Sequence, residues 1–108
     1  GQELATAMQY RVTIIVIVVN NGIYATIRMH QERDYPGRVI GTDMINPDFV
    51  ALARAYGAHG ERVENTAEFE AAFERCLAAD TPALIEVMLD HTILTPTATV
   101  DSLRAEAK

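Results

Sequence analysis

The feature that most constrains this chain is an unbroken run of uncharged, β-branched residues at positions 12–19. A strand with one exposed face alternates apolar and polar residues, whereas a parallel strand covered on both faces reads as a continuous apolar run. We therefore predict a strand that is buried on both faces at the centre of a parallel sheet. The run ends at Asn20-Asn21-Gly22, which is a turn signal, and a helical pattern over residues 24–31 follows.

Strand, tight turn and helix start together form a potential anion site. Backbone N–H groups and the positive end of the helix dipole point out of the carboxyl edge of the sheet. The amides of Asn20 and Asn21 stand at the same edge. Amide, carbonyl and diphosphate oxygens are the hard ligands that Mg²⁺ prefers, so the segment predicts a metal-diphosphate site. The alternative is a plain turn, because Asn and Gly are common turn residues.

Composition narrows the class of protein. The chain has 108 residues, nearly half of them apolar, and a formal net charge of −6. That length allows one small domain with a core, and the absence of any Lys/Arg cluster argues against nucleic-acid binding. The apolar run is too short to span a bilayer, so no membrane role is predicted. The single Cys76 excludes an internal disulfide and a Cys-based zinc site, and we predict a reducing, cytoplasmic compartment.

The other elements alternate between helices and strands, which predicts an α/β fold with a parallel sheet. Helices are predicted at residues 2–10, at 47–56 with Asn46 as N-cap, and from an N-cap at Asn65; strands are predicted at 61–64 and 83–89. The polar strand 61–64 is expected at an edge. The chain opens on a helix without a Met, and its buried strand lacks cover, so we expect a fragment of a larger domain.

Two segments lack a regular pattern. Residues 32–46 form a long irregular connection that is either functional or an ordinary surface loop. The tail, residues 91–108, is weakly helical with no evident packing partner. We expect the tail to lie on another subunit or domain, or to fray.

Few other side chains suggest chemistry. His30, His59 and His91 have no metal-ligand spacing. Arg28 and His30 follow the proposed site and are suited either to an anionic substrate or to a solvated helix face. Cys76 lies on the apolar face of its predicted helix, which indicates core packing.

Four ordered blocks resemble thiamine-diphosphate-dependent enzymes. They are GQELATAMQY at residues 1–10, VNNGIYATIR at 19–28, NPDFVALARAYG at 46–57 and PALIEV at 82–87. The resemblance is to the diphosphate-binding domain of the acetolactate synthase, pyruvate decarboxylase and benzoylformate decarboxylase family, and it extends to about residue 99. The Asn-Asn pair alone is a weak motif, whereas the ordered set of blocks is specific.

The resemblance implies a fold and a cofactor site. The fold is a partial parallel sheet with flanking helices, a fragment of a three-layer α/β/α domain, in which strand 83–89 lies between strands 12–19 and 61–64. The cofactors are thiamine diphosphate and Mg²⁺. Metal ligands are the side chain of Asn21 and the carbonyl of Ile23, and cofactor contacts come from Asn20, Asn21, Gly22, Ile23 and Tyr24. Residues 32–46 correspond to a variable segment over the active site, a candidate lid.

The resemblance also implies what is missing. The family's Gly-Asp-Gly, which supplies a further metal ligand, does not occur in this sequence, and no residue matches the Glu that activates the cofactor. We therefore assign no catalytic residue. We expect residues 1–90 to be a partial cofactor-binding domain and 91–108 a tail. The fragment, inactive alone, would belong to a homo-oligomeric enzyme acting on 2-keto acids by decarboxylation or carboligation, with the rest of the polypeptide and a second subunit as partners. The alternative is a non-catalytic α/β binding or interaction module that retains the scaffold.

Overall fold

The computed structural model describes residues 1–107. These residues divide into two compact units. We call residues 1–20 with 46–89 the sheet unit, and residues 21–45 with 90–107 the turn unit. In chain order the elements are α1 (Gln2–Gln9), β1 (Ile15–Asn20), α2 (Ala25–Asp34), α3 (Phe49–Ala55), β2 (His59–Val63), α4 (Thr66–Ala78), β3 (Ala83–Met88), β4 (Ile93–Thr95), β5 (Ala98–Thr99) and α5 (Val100–Glu106).

The sheet unit contains a three-stranded parallel sheet in the order β1-β3-β2. This confirms the predicted parallel α/β architecture and the strand order that the family resemblance implies. The prediction that the apolar run is central and buried on both faces is wrong. Its strand begins at Ile15, and Val16, Ile17 and Val19 are between 37% and 62% exposed. Among the described strands only β3 pairs with β1. The run therefore has the apolar composition of a buried strand, but several of its side chains are exposed.

Helices pack on both faces of the sheet. Ile85 and Leu84 are neighbours on β3 and therefore point to opposite faces. One core cluster joins α4 to the sheet and comprises Val63, Ala72, Cys76, Ala83 and Ile85. The other joins α1 and α3 to the sheet and comprises Leu4, Ala53, Ala58 and Leu84. The predicted flanking helices are thus present as a layer on each face.

Side-chain caps set the starts of two helices. The Asp48 carboxylate accepts a hydrogen bond from the Ala51 N–H at 3.0 Å, so α3 begins at Phe49. The predicted start with Asn46 as N-cap is therefore two residues early, because the carboxylate that caps the helix lies further along the chain. Asn65 caps α4 as predicted, since its side chain accepts the N–H of Glu68.

The turn unit contains α2, α5 and a two-stranded antiparallel sheet of β4 and β5. Helix α2 extends to Asp34, three residues beyond the predicted end. The tail was expected to lack a packing partner within the chain, and that expectation is wrong: α5 packs against α2, and a capping box of Thr99 and Ser102 starts the helix. In residues 1–107 no helix combines the length and apolarity needed to cross a membrane.

Candidate functional site

The segment that follows β1 folds as a tight turn into α2. The side-chain oxygen of Asn21 accepts a hydrogen bond from the backbone N–H of Ile23 at 3.2 Å. Gly22 has φ of +68°, a conformation that glycine adopts without the strain other residues suffer. Helix α2 begins directly after Tyr24, so its first backbone N–H groups lie at this turn. The predicted sequence of strand, turn and helix is therefore present.

A second segment of the turn unit holds this turn in place. Ile23 is buried and forms an antiparallel β-bridge with Asp43. Two backbone hydrogen bonds of 2.8 Å flank the bridge, and they join Tyr24 to Thr42 and Met44 to Gly22. The candidate lid is thus fastened to the turn at its far end by main-chain hydrogen bonds.

The chemistry of the turn fits a hard cation bound to a diphosphate. The amide oxygen of Asn21 and the carbonyl oxygen of Ile23 are the ligand types that Mg²⁺ takes, and they come from residues two apart. An amide oxygen has two lone pairs, so its hydrogen bond from Ile23 leaves the second for a cation. A Cβ placed on Gly22 would meet no atom within 4 Å other than those of its chain neighbours, so there is space on that side of the turn.

Asn20 has different contacts from Asn21. As the last residue of β1 it belongs to the sheet unit. Its side-chain nitrogen donates to the Glu86 carboxylate at 3.3 Å, and its side-chain oxygen accepts a hydrogen bond from Asn46 at 2.9 Å. The sequence predicted that both Asn side chains lie at one edge of the sheet. In the structure the Asn20 amide is hydrogen-bonded to two residues of the sheet unit, Glu86 and Asn46.

Glu86 is a buried carboxylate next to Asn20 that the sequence pattern did not single out. It is only 2% exposed and lies on the central strand β3. Arg62 donates to its carboxylate at 2.7 Å and to Asp48 at 3.1 Å. The hydrogen bond to Glu86 raises the pKa of Arg62. The available signal was a single carboxylate within the apolar strand ALIEVM, since a buried charge requires a partner.

Arg28 and His30 differ in exposure. The Arg28 guanidinium is mostly buried and lies 3.8 Å from the Glu32 carboxylate and 4.0 Å from that of Asp43. His30 is exposed and its ring nitrogen lies 2.6 Å from the Arg33 guanidinium. The solvated-face interpretation therefore holds for His30, whereas Arg28 faces two carboxylates of its own unit.

The structure also brings together three possible metal ligands that are far apart in sequence. Ligand atoms of His59, Glu61 and Cys76 lie within 4.8 Å of one another. Arg75, however, donates to both carboxylate oxygens of Glu61, with a shortest distance of 2.6 Å, and this hydrogen bond lowers the pKa of Glu61. Burial raises the pKa of the Cys76 thiol. A guanidinium already neutralises the carboxylate, so we interpret the cluster as an ion-pair network over the core cysteine that was predicted.

Comparison with known proteins identifies the family. The family described as thiamine pyrophosphate enzyme, C-terminal TPP binding domain, matches residues 1–87. The acetolactate synthase catalytic subunit, mitochondrial, of Aspergillus candidus is 34% identical over 91 residues, which are 84% of this chain and 13% of that protein. Benzoylformate decarboxylase of Pseudomonas aeruginosa is 39% identical over 88 residues, 78% of this chain and 16% of that protein.

The acetolactate synthase isozyme 2 large subunit of Escherichia coli is 31% identical over 91 residues, which are 83% of this chain and 17% of that protein. This chain thus spans between 13% and 17% of the lengths of these three relatives. The family match covers most of the chain and includes the whole of β1, the turn and α2. The chain therefore belongs to the thiamine pyrophosphate enzyme family and corresponds to its C-terminal TPP-binding domain.

Proposed function

We propose that this chain is part of a Mg²⁺-dependent thiamine diphosphate enzyme that acts on 2-keto acids by decarboxylation or carboligation. The relatives named as acetolactate synthases and as a benzoylformate decarboxylase support this reaction class. Thiamine diphosphate, when bound, supplies the carbanion chemistry. The contribution of this chain is to bind and orient the diphosphate end of the cofactor.

The observation that carries the proposal is the geometry of the turn. The Asn21 oxygen accepts the N–H of Ile23, and Gly22 between them has a positive φ, so one short turn offers a side-chain and a main-chain oxygen. In the proposed site these two oxygens hold Mg²⁺. Asn20, Gly22 and Tyr24 lie next to the diphosphate, which the amides at the start of α2 and the helix dipole stabilise.

The rest of the site comes from elsewhere in our proposal. Mg²⁺ requires about six oxygen ligands, of which Asn21 and Ile23 supply two, leaving places for phosphate oxygens, water and one further protein group. We assign no catalytic residue to this chain. The remainder of the polypeptide and a second subunit of a homo-oligomer are the proposed partners, and the chain alone is expected to be inactive. The single cysteine supports a reducing, cytoplasmic compartment.

Isothermal titration calorimetry tests the proposal. Thiamine diphosphate is titrated into this chain, and into the longest polypeptide that its reading frame encodes, with Mg²⁺ and again with a chelator. Binding to the longer polypeptide that disappears with the chelator is the expected result. Absence of binding in both proteins would overturn the proposal. It would instead favour the alternative, a non-catalytic α/β binding or interaction module that retains the scaffold.

A further inference from the structure

Glu32 is fully buried although it lies on a polar helix. It is the one buried residue of α2, with 0% of its surface exposed. Two nitrogens of Arg104, on α5, each donate to its carboxylate at 2.7 Å. The backbone N–H of Gly37 donates to the same carboxylate at 3.0 Å. A buried carboxylate is tolerated only with such partners, so the docking of α5 is what permits Glu32 to be buried.

Helix α2 has no apolar stripe of its own, and its other side-chain contacts include two hydrogen bonds between Gln31 and the backbone of Ile40. Ile27, its largest aliphatic residue, is exposed, and the Tyr24 side chain makes no capping hydrogen bond at its start. Most helices are fixed in a protein by an apolar stripe, and α2 lacks one. The bidentate pair between Glu32 and Arg104 is therefore a buried polar contact that orients α2 within the turn unit.

The same series of charges extends toward the turn that carries the candidate metal ligands. Arg28 lies between the carboxylates of Glu32 and Asp43, at 3.8 Å and 4.0 Å. Asp43 is the residue that pairs with Ile23 in the β-bridge. Four alternating charges thus connect α5 with the strand segment opposite Ile23. This series of charges is the route by which we expect a change at Arg104 to affect the turn.

We propose that Arg104 is a positioning residue for the turn that carries Asn21 and Ile23, and that it acts through Glu32 and Arg28. The proposal rests on the proposed function only in that the turn binds Mg²⁺ and a diphosphate. Without Arg104 the Glu32 carboxylate loses its bidentate partner and moves toward water, which shifts α2. The two oxygens at the turn then lose their mutual geometry, so the affinity for Mg²⁺ falls while the sheet unit remains folded.

Hydrogen exchange of the full chain tests the positioning role without any cofactor. In Arg104→Met the amides of Tyr24 and Met44, both hydrogen-bonded at the turn, are expected to exchange about tenfold faster. The amide of Ala83, which is hydrogen-bonded in the sheet unit, reports folding and should not change. Arg104→Lys keeps the charge but not the fork geometry and should give a smaller effect. Arg33→Gln removes an exposed arginine from α2, next to Glu32, and is the matched control.

The outcomes separate this proposal from the proposed function. Unchanged exchange at Tyr24 and Met44 in Arg104→Met, or equal acceleration at Ala83, would overturn the positioning role. In the longer polypeptide, Arg104→Met should weaken Mg²⁺ binding in the presence of thiamine diphosphate by about tenfold, the usual effect of losing a residue that orients a ligand. If the unchanged protein bound no cofactor, the proposed function would fail, and the exchange data would still decide this proposal.

Discussion

The side-chain nitrogen of Asn20 donates a hydrogen bond to the buried carboxylate of Glu86, on the neighbouring strand, at 3.3 Å. In the register of the sheet Glu86 lies opposite Arg62 on its other side, and Arg62 donates to the same carboxylate. One buried charge on the central strand therefore ties together the last residue of β1 and the edge strand β2. The residue that immediately precedes the proposed metal ligand is thus fixed by the sheet.

This arrangement predicts that Glu86→Gln destabilises the sheet unit. The variant removes the charge that Arg62 neutralises but keeps the size of the side chain. Arg62 is partly exposed and can turn to water, so we expect a loss of about 1–2 kcal/mol rather than the larger cost of a fully buried pair. Urea unfolding measures the change, and Glu70→Gln on the exposed face of α4 is the control. Equal unfolding free energies for Glu86→Gln and the original chain would contradict the structural role.

Asn21→Ala tests the proposed metal ligand. The variant removes one of the two oxygens that the turn offers, and alanine supplies no replacement, so Mg²⁺-dependent retention of thiamine diphosphate should weaken about tenfold or more. Asn21→Asp keeps an oxygen and should retain more affinity. Asn65→Ser, which alters an Asn that caps α4, is the control. Calorimetry at limiting Mg²⁺ measures the effect, and an unchanged affinity for Asn21→Ala would remove this residue from the ligand set.

Gly60→Ala should destabilise the sheet unit for a steric reason. A Cβ at this position would lie 3.0 Å from the backbone oxygen of Val50 and 3.1 Å from one of its methyl carbons. The oxygen belongs to α3 and cannot rotate away, so the helix must move off the sheet. We expect a cost of about 1–3 kcal/mol, typical of overpacking. Thermal unfolding measures this loss of stability, with Ala67→Ser on the exposed face of α4 as the control. A melting temperature equal to that of the control would show that α3 can move away from the sheet at no cost in stability.

Stability should fall in acid partly through Glu61. Its hydrogen bonds from Arg75 lower the pKa of this carboxyl from its ordinary value of 4.5. A carboxyl with a lowered pKa in the folded state contributes stability that is complete above the unfolded pKa and is lost as the pH falls through the folded pKa. The unfolding free energy should therefore decline below about pH 4.5. In Glu61→Gln that decline should be shallower, and an identical pH profile for both proteins would exclude this carboxylate as a source of acid sensitivity.

The chain should self-associate through β1. Among the described strands β1 pairs on one side only, and Val16, Ile17 and Val19 expose apolar surface next to unpaired strand edge. Such edges pair with other chains, and a charge placed on them prevents it. Analytical ultracentrifugation should show association that rises with concentration and is reduced in Ile17→Lys, whereas Glu70→Lys should not reduce it. A monomer at high concentration would mean that the edge is covered in solution.

Local patterns in the sequence predicted the elements of the sheet unit well because those elements depend on local physics. Asn65 as a helix cap and the core position of Cys76 follow from side-chain chemistry within a turn or two. The position of β1 in the sheet does not follow from local physics. Its apolar composition indicates that the strand is suited to burial on both faces. It does not indicate whether the described residues bury it.

The same limit applies to the charged residues. Glu32 is the first residue of the segment predicted to be an irregular connection, and its partner Arg104 lies in the tail, for which no packing partner was evident. Each residue alone has the pattern of an exposed charge. Only the tertiary pairing makes Glu32 a buried residue, so no periodicity could have predicted it. For Glu86 the sequence did contain a signal, since a carboxylate within an apolar strand must find a partner.

The turn unit is built from two segments of the chain, and the ion pair that closes it joins residues 72 positions apart. During translation α2 and the turn therefore leave the ribosome long before Arg104 does. The sheet unit, whose last strand ends at Met88, can fold first, because its contacts are complete earlier in synthesis. Until Arg104 emerges, Glu32 remains hydrated and α2 lacks this ion pair, although the main-chain hydrogen bonds between the turn and residues 42–44 can already form. Under our proposal, the turn therefore reaches its final geometry only after α5 has been synthesised.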